Sequence, residues 1–171
     1  MSCDNKLYRG AGVAGILFNQ NGHILLIKRR DVPIWVLPGG GIDKDEKASQ
    51  AILREFFEET GLSINVKRLV AEYIPSGFFS RHTLVYECEL KEGSPKIGEE
   101  ALDIGFFPLN NLPKITFPIH LLWVQQALKN EGPIQSKTEG LSIATLFMYS
   151  MTHPILVLRF LLSRMGIPFN N

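Results

Sequence analysis

The chain has 171 residues, 45% hydrophobic and 20% charged, which suits one core-bearing domain with or without a short extension. A formal net charge of +1 excludes a general attraction to nucleic acid or to an anionic membrane, so an anionic ligand must be held by local features. Cys3 and Cys88 lack paired spacing and read as free thiols rather than as a disulfide framework or a zinc site.

In chain order, the first six residues contain no apolar signal core, and a cytoplasmic protein is expected. Residues 13–18 form an apolar run that begins a strand. Asn19-Gln20-Asn21-Gly22 is hairpin-turn chemistry, because Asn-Gly accepts positive φ. Residues 23–28 alternate as the return strand, with His23 facing solvent beside the turn. Trp35-Val36-Leu37 reads as a short strand stopped by Pro38-Gly39-Gly40-Gly41. Residues 45–60 read as a helix, since Ala48, Ala51, Ile52, Phe56 and Phe57 recur at helical spacing. Asp43 or Asp45 is the expected N-cap, and Gly61 the C-terminal cap. Further strands are expected at 64–74, 82–90 and 104–109, and a second helix at 118–129, ended by Asn130-Glu131-Gly132-Pro133. Residues 134–140 are polar and linker-like. Residues 141–165 are mostly apolar, but His153-Pro154 and Arg159 interrupt the run of about 20 apolar residues that a membrane span needs. Three readings stand for this extension: amphipathic helices packed on the domain or on a second subunit, an interfacial membrane anchor, or a poorly ordered tail.

The densest chemistry lies at Arg54-Glu55-Phe56-Phe57-Glu58-Glu59-Thr60-Gly61. On a helix Glu55, Glu58 and Glu59 are three and four residues apart and share a face, where their repulsion costs a few tenths of a kcal/mol per pair. Phe56 and Phe57 are expected to bury the other side. The glycine turn just before the helix lets backbone amides approach an anion. Carboxylates beside a phosphate need a hard divalent cation between them, and Mg²⁺ or Mn²⁺ prefers oxygen donors.

These residues carry a resemblance. Gly40, five residues, Glu46, seven residues, then Arg54-Glu55-Phe56-Phe57-Glu58-Glu59-Thr60-Gly61-Leu62 fills all nine specified positions of the Nudix box over 23 residues. Trp35-Val36-Leu37-Pro38-Gly39 before it, and Phe106-Phe107-Pro108-Leu109 after it, also resemble the family, which covers roughly residues 8–130. The resemblance implies an α/β fold, a Nudix α/β/α sandwich with a mixed curved sheet. That gives a Nudix domain over residues 1–133 and an apolar helical extension over 134–171.

It also implies hydrolysis of a nucleoside diphosphate derivative with Mg²⁺ or Mn²⁺. Glu55, Glu58 and Glu59 would hold the metal, with Glu46 and Arg54 bracing the loop and helix. The base would be Glu58 or Glu59, or a loop carboxylate, Glu99 or Glu100. Gly39, Gly40 and Gly41 would complete the site. Among substrate contacts, Arg29, Arg30 and Arg81 can pair with phosphates as bidentate donors, and Phe18, Tyr73, Phe78 and Phe79 can stack on a base. Phe78 and Arg81 are the preferred pair, because two adjacent Phe residues cannot both point inward from a strand. Pro75 lies 13 residues past Leu62, near the spacing of an ADP-ribose subfamily mark. That spacing does not decide the substrate; it tilts the expectation towards a sugar nucleotide such as ADP-ribose, with a nucleoside triphosphate as the other choice. A non-catalytic nucleotide-binding domain is the remaining alternative. No nucleic-acid partner is expected. A homodimer, or a partner or membrane surface for the extension, remains open.

Overall fold

The computed structural model describes residues 10–75, 81–138, 151 and 153–164. The order is β1 (Gly12–Leu17), β2 (Ile24–Arg29), β3 (Trp35–Val36), α1 (Ala48–Thr60), β4 (Ser63–Pro75), β5 (Thr83–Glu92), β6 (Ala101–Phe107), α2 (Pro118–Leu128), β7 (Ile134–Thr138) and α3 (Pro154–Arg164). One sheet runs β1-β5-β4-β7 and a second β3-β2-β6. The first is mixed: β1 is parallel to β5, β4 antiparallel to β5, and β7 parallel to β4.

The β1–β2 connection is the expected turn. Asn19 Oδ1 accepts from the amides of Asn21 and His23 at 3.0 and 2.9 Å, and Gly22 takes φ +73. The strands it joins separate into different sheets, because β1 takes β5 as its partner and β2 takes β3 and β6. Alternation along β1 then serves two layers. Val13 and Leu17 pack with Ala48, Ala51, Ile52 and Phe56 of α1. Ala14 and Ile16 pack with Trp123, Val124 and Ala127 of α2. A strand buried on both faces reads as a continuous apolar run.

Gly15 sets how closely α1 approaches β1: a Cβ there would lie 2.3 Å from the Phe56 ring and 3.1 Å from Ile52. Gly15→Ala is expected to cost about 1–3 kcal/mol by overpacking. It should appear as a lower urea midpoint with an unchanged m-value; an unchanged midpoint would mean the ring is not seated there.

Three local expectations are corrected. The N-cap of α1 is Lys47, not Asp43 or Asp45, and the Gln50 side chain accepts from the Lys47 amide at 3.3 Å. The Asp43 amide is instead tied to the Glu46 carboxylate, and Asp45 turns at φ +65. Phe57 is 61% exposed while Phe56 is fully buried. A step of one residue rotates a helix position by about 100°, and the stripe through Ala48, Ala51, Ile52 and Phe56 leaves Phe57 outside it. Residues 134–138 are not a linker: β7 pairs in parallel with Ala71–Pro75 of β4, so alternate polar residues lie along a sheet edge. Gly61 caps α1 as expected, at φ +68. Of the C-terminal extension, α3 is helical; residues 139–150, 152 and 165–171 lie outside the described residues.

Candidate active site

The glycine turn is strapped to β1. Val13 N donates to Gly40 O, Gly15 N to Pro38 O, and Ile42 N to Ala11 O, at 2.9, 2.9 and 3.1 Å. Side chains are excluded there by contact. A Cβ on Gly39 would meet Val13 O at 2.1 Å, and one on Gly40 would meet the Glu55 carboxyl at 2.4 Å. Gly39 also takes φ +151. The turn therefore lies directly against α1, and its Gly39 amide donates to Glu59 Oε2 at 2.7 Å.

Arg54 organises the same face. Its Nε and Nη2 hold both oxygens of Glu46 at 3.0 and 2.9 Å, and Nη2 also reaches Gly41 O at 2.9 Å. Nη1 donates to Glu55 Oε1 at 2.9 Å and to Glu58 Oε2 at 3.3 Å. One guanidinium thus joins the loop, the brace and two of the three clustered glutamates. Its hydrogen bonds to Glu46 raise the Arg54 pKa above its already high value and hold the Glu46 carboxyl below the usual range.

The three clustered glutamates differ sharply in environment. Glu59 is only 7% exposed. Burial pushes it up to about 8, with Glu55 and Glu100 adding in the same direction and the Gly39 amide and Arg29 opposing. Glu55 is raised as well, by burial first, against the pull of Arg54. The Glu58 side chain is 57% exposed.

A loop supplies two more carboxylates. Lys96 N donates to Thr60 O at 2.8 Å and Gly98 N to Glu59 O at 3.1 Å, so residues 96–98 satisfy carbonyls that the end of α1 would otherwise leave open. Beyond them Glu99 and Glu100 line a cavity of about 370 Å³ together with Glu55, Glu58 and Glu59.

No ready-made ligating group of three or more His, Cys, Asp or Glu side chains exists among the described residues. The reason is visible: Arg54 draws Glu55 and Glu58, and Glu59 turns to the Gly39 amide. The donor chemistry nevertheless fits a hard divalent cation. Five carboxylates share one cavity, and burial raises the pKa of two of them, Glu59 and Glu55, a cost to the ionised form that a bound cation would offset. Mg²⁺ keeps several waters and shares phosphate oxygens, so it does not require a closed protein cage.

The expected substrate contacts divide. Arg81 donates through Nε to Gly10 O at 2.7 Å, and its Nη2 lies 3.2 Å from where a Gly41 Cβ would stand, so it flanks the glycine turn. Arg30 turns elsewhere, donating to Glu99 O and Ala101 O at 2.8 and 2.9 Å. Arg29 pairs with Asp31. Tyr73 stacks on Trp123 with centroids 5.4 Å apart, and Phe18 packs into the core between sheet and α2. Phe78 and Phe79 lie outside the described residues.

Two contributors escaped the sequence reading. Gly98 must be glycine, because a Cβ would fall 2.4 Å from Glu58 O; its position just before Glu99-Glu100 was the available signal. His120 accepts the Leu37 amide at its Nδ1, 2.9 Å away, and so anchors the strand that leads into the glycine turn. Loss of water around a ring packed between Phe117 and Trp123 pushes this imidazole down to about 3, which keeps Nδ1 free to accept. A lone histidine in an apolar helix gave no sequence signal for that role.

A mixed sheet between two helices, with a glycine turn packed on a glutamate-bearing helix that lines one acidic cavity, defines the class. The NUDIX domain family model matches residues 8–127, and the chain belongs to that family and is a Nudix-type pyrophosphohydrolase. It is 38% identical over 119 residues to an ADP-ribose pyrophosphatase of Methanocaldococcus jannaschii, covering 65% of this chain and 69% of that protein. It is 33% identical over 107 residues to a putative 8-oxo-dGTP diphosphatase of Bacillus subtilis, covering 60% and 72%. Among solved structures, an ADP-ribose pyrophosphatase of Streptococcus suis superposes with a TM-score of 0.62 at 26% identity, covering 75% of this chain and 98% of that one.

Proposed function

We propose that the chain hydrolyses the pyrophosphate bond of a nucleoside diphosphate derivative, with ADP-ribose or a similar sugar nucleotide as first choice, using Mg²⁺ or Mn²⁺. The observation that carries this is the cavity lined by five glutamates, one of which, Glu59, also accepts from the Gly39 amide of the glycine turn. The names of the M. jannaschii and S. suis relatives support the sugar-nucleotide choice. The B. subtilis relative supports the second reading, a nucleoside triphosphate pyrophosphohydrolase. Intact Glu55, Glu58 and Glu59 argue against a domain that only binds nucleotide.

In this reading Glu55, Glu58 and Glu59 hold the cation, and Glu46 and Arg54 keep the loop and helix in register. A bound divalent cation supplies charge neutralisation for the phosphates and a lower pKa for water at the site. The base comes from Glu58, Glu59 or Glu100, all on the cavity wall. Gly39, Gly40 and Gly41 contribute backbone amide or carbonyl groups that complete the site. Arg81, beside Gly41, and Phe78 contact the substrate.

We take the catalytic unit to extend through β7, since that strand completes the sheet beside β4. The exposed apolar positions Ile155, Leu158 and Leu161 of α3 support a role for the C-terminal segment as a contact surface, for a second copy or for a membrane surface. No helix among the described residues is long and apolar enough to cross a membrane. We place the chain in the cytoplasm, a setting with which the free, buried Cys88 is compatible.

The test is a panel of sugar nucleotides and nucleoside triphosphates with Mg²⁺, with products identified by mass. A nucleoside monophosphate plus a phosphorylated partner is expected from the first group. Activity is expected to vanish in chelator and to return with Mg²⁺ or Mn²⁺; turnover that persists in chelator would refute the metal reading.

A further inference from the structure

Arg30 follows directly on β2 and makes an unusual set of bonds. Its amide donates to Glu100 O at 2.9 Å, its Nε to Glu99 O at 2.8 Å, and its Nη2 to Ala101 O at 2.9 Å. One residue therefore holds three consecutive carbonyls. The planar guanidinium spans the outer two as a rigid fork, which the point charge of a lysine cannot reproduce.

The same loop is held from its other side by the end of α1, through Lys96 N to Thr60 O and Gly98 N to Glu59 O. Gly98 sits so close that no side chain fits between it and Glu58 O. Glu99 and Glu100 lie between the two anchors, and both line the acidic cavity. Left to themselves, two carboxylates on an irregular loop would swing away from three others, because like charges repel and the loop has water to move into. The anchors oppose that movement.

We propose that Arg30 is a positioning residue. It clamps the Glu99–Glu100 loop against the end of α1, so that the loop carboxylates stay in the cavity beside Glu55, Glu58 and Glu59. This rests on the cavity being the catalytic centre. It also gives Arg30 a different part from the bidentate phosphate donor expected from sequence, since Nε and Nη2 are committed to carbonyls.

The test compares Arg30→Lys and Arg30→Gln with Glu99→Gln/Glu100→Gln, and with Arg30→Gln placed in that double-variant background. Loss of a group that orients site ligands typically costs about 10–100-fold in activity, so kcat is expected to fall by that factor in both single variants. KM should stay within about twofold, and Lys should not rescue. In the Glu99→Gln/Glu100→Gln background, Arg30→Gln should cost less than about twofold more, because residues acting as one unit are not additive. Hydrogen exchange supplies a readout that needs no turnover: amides 96–101 should exchange at least about tenfold faster in Arg30→Gln, while those of β1 and α1 stay unchanged.

A rise in KM alone, rescue by Lys, additivity with the double variant, or unchanged exchange in 96–101 would each overturn the clamp. If the wild-type chain turned over no compound in the panel yet the variant still released the loop, the catalytic reading would fall and the clamp would stand. Should Arg30→Gln fail to fold, Arg30→Lys carries the same kinetic and exchange comparisons.

Discussion

Glu58→Gln is expected to leave the chain folded and to lower turnover by about 10²–10⁴-fold, the range typical for losing a positioned catalytic carboxylate. Glu58 is the most exposed of the three clustered glutamates, with 57% of its side chain open. It meets Arg54 at 3.3 Å, and an amide keeps an acceptor for that bond. An exposed pair of this kind contributes about 0–1 kcal/mol, so the urea midpoint should scarcely move. What Gln removes is charge at the cavity wall, where hard oxygen donors matter most. Glu46→Gln makes the useful contrast. Glu46 binds Arg54 through both oxygens and also receives the Asp43 amide, yet does not line the cavity. Its loss should lower stability and activity together, whereas Glu58→Gln separates them. Near-normal turnover in Glu58→Gln, measured alongside an unchanged melt, would sink its assignment to the metal.

Much of this site was legible before any coordinates, because it lies on one helix. Spacing of three and four residues places Glu55, Glu58 and Glu59 together whatever the rest of the chain does. The order of burial among them was not legible. It depends on the glycine turn, which lies on Glu59 and Glu55 because three backbone bonds tie residues 38–42 to residues 11–15. Phe57 shows the limit of local pattern: two adjacent aromatic residues read as one apolar face, and tertiary packing accepts only Phe56. β7 shows another. A polar five-residue edge strand has little apolar signal of its own and is specified by the free edge of β4. The part played by Arg30 was hidden for the same reason, since its partners are backbone carbonyls 69 and 71 residues away and carry no sequence identity.

Glu59→Gln is expected to abolish activity and yet stabilise the metal-free protein at pH 8. A carboxyl held at about 8 rather than 4.5 binds a proton in the folded chain that the unfolded chain has already released. Stability therefore falls as pH rises between those two values, and the full penalty above pH 8 is on the order of a few kcal/mol. Glu55, also raised, adds in the same direction. His120 works in the opposite sense. Below about 6.5 the unfolded chain takes up a proton that the folded imidazole refuses until about 3, so acid costs stability there. The two opposing effects overlap below pH 6.5, which leaves pH 6.5 to 8 as the window in which the glutamates decide the slope. In chelator, wild-type stability from urea unfolding should drop by on the order of 1 kcal/mol across that window, the fall from Glu59 exceeding the small gain as the unfolded chain's His120 finishes losing its proton. Glu59→Gln should show a flatter slope, because its amide does not titrate and can still accept from the Gly39 amide. At pH 8 it should exceed the wild type. Added Mg²⁺ or Mn²⁺ should raise the wild-type midpoint more at pH 8 than at pH 6.5, since the cation takes the place of the proton, and should do far less for Glu59→Gln. Equal slopes for the two proteins in chelator would show that Glu59 is solvated in the folded chain. The stability given up by burying that carboxylate would then have to lie elsewhere in the cavity, with Glu55 the next group to replace.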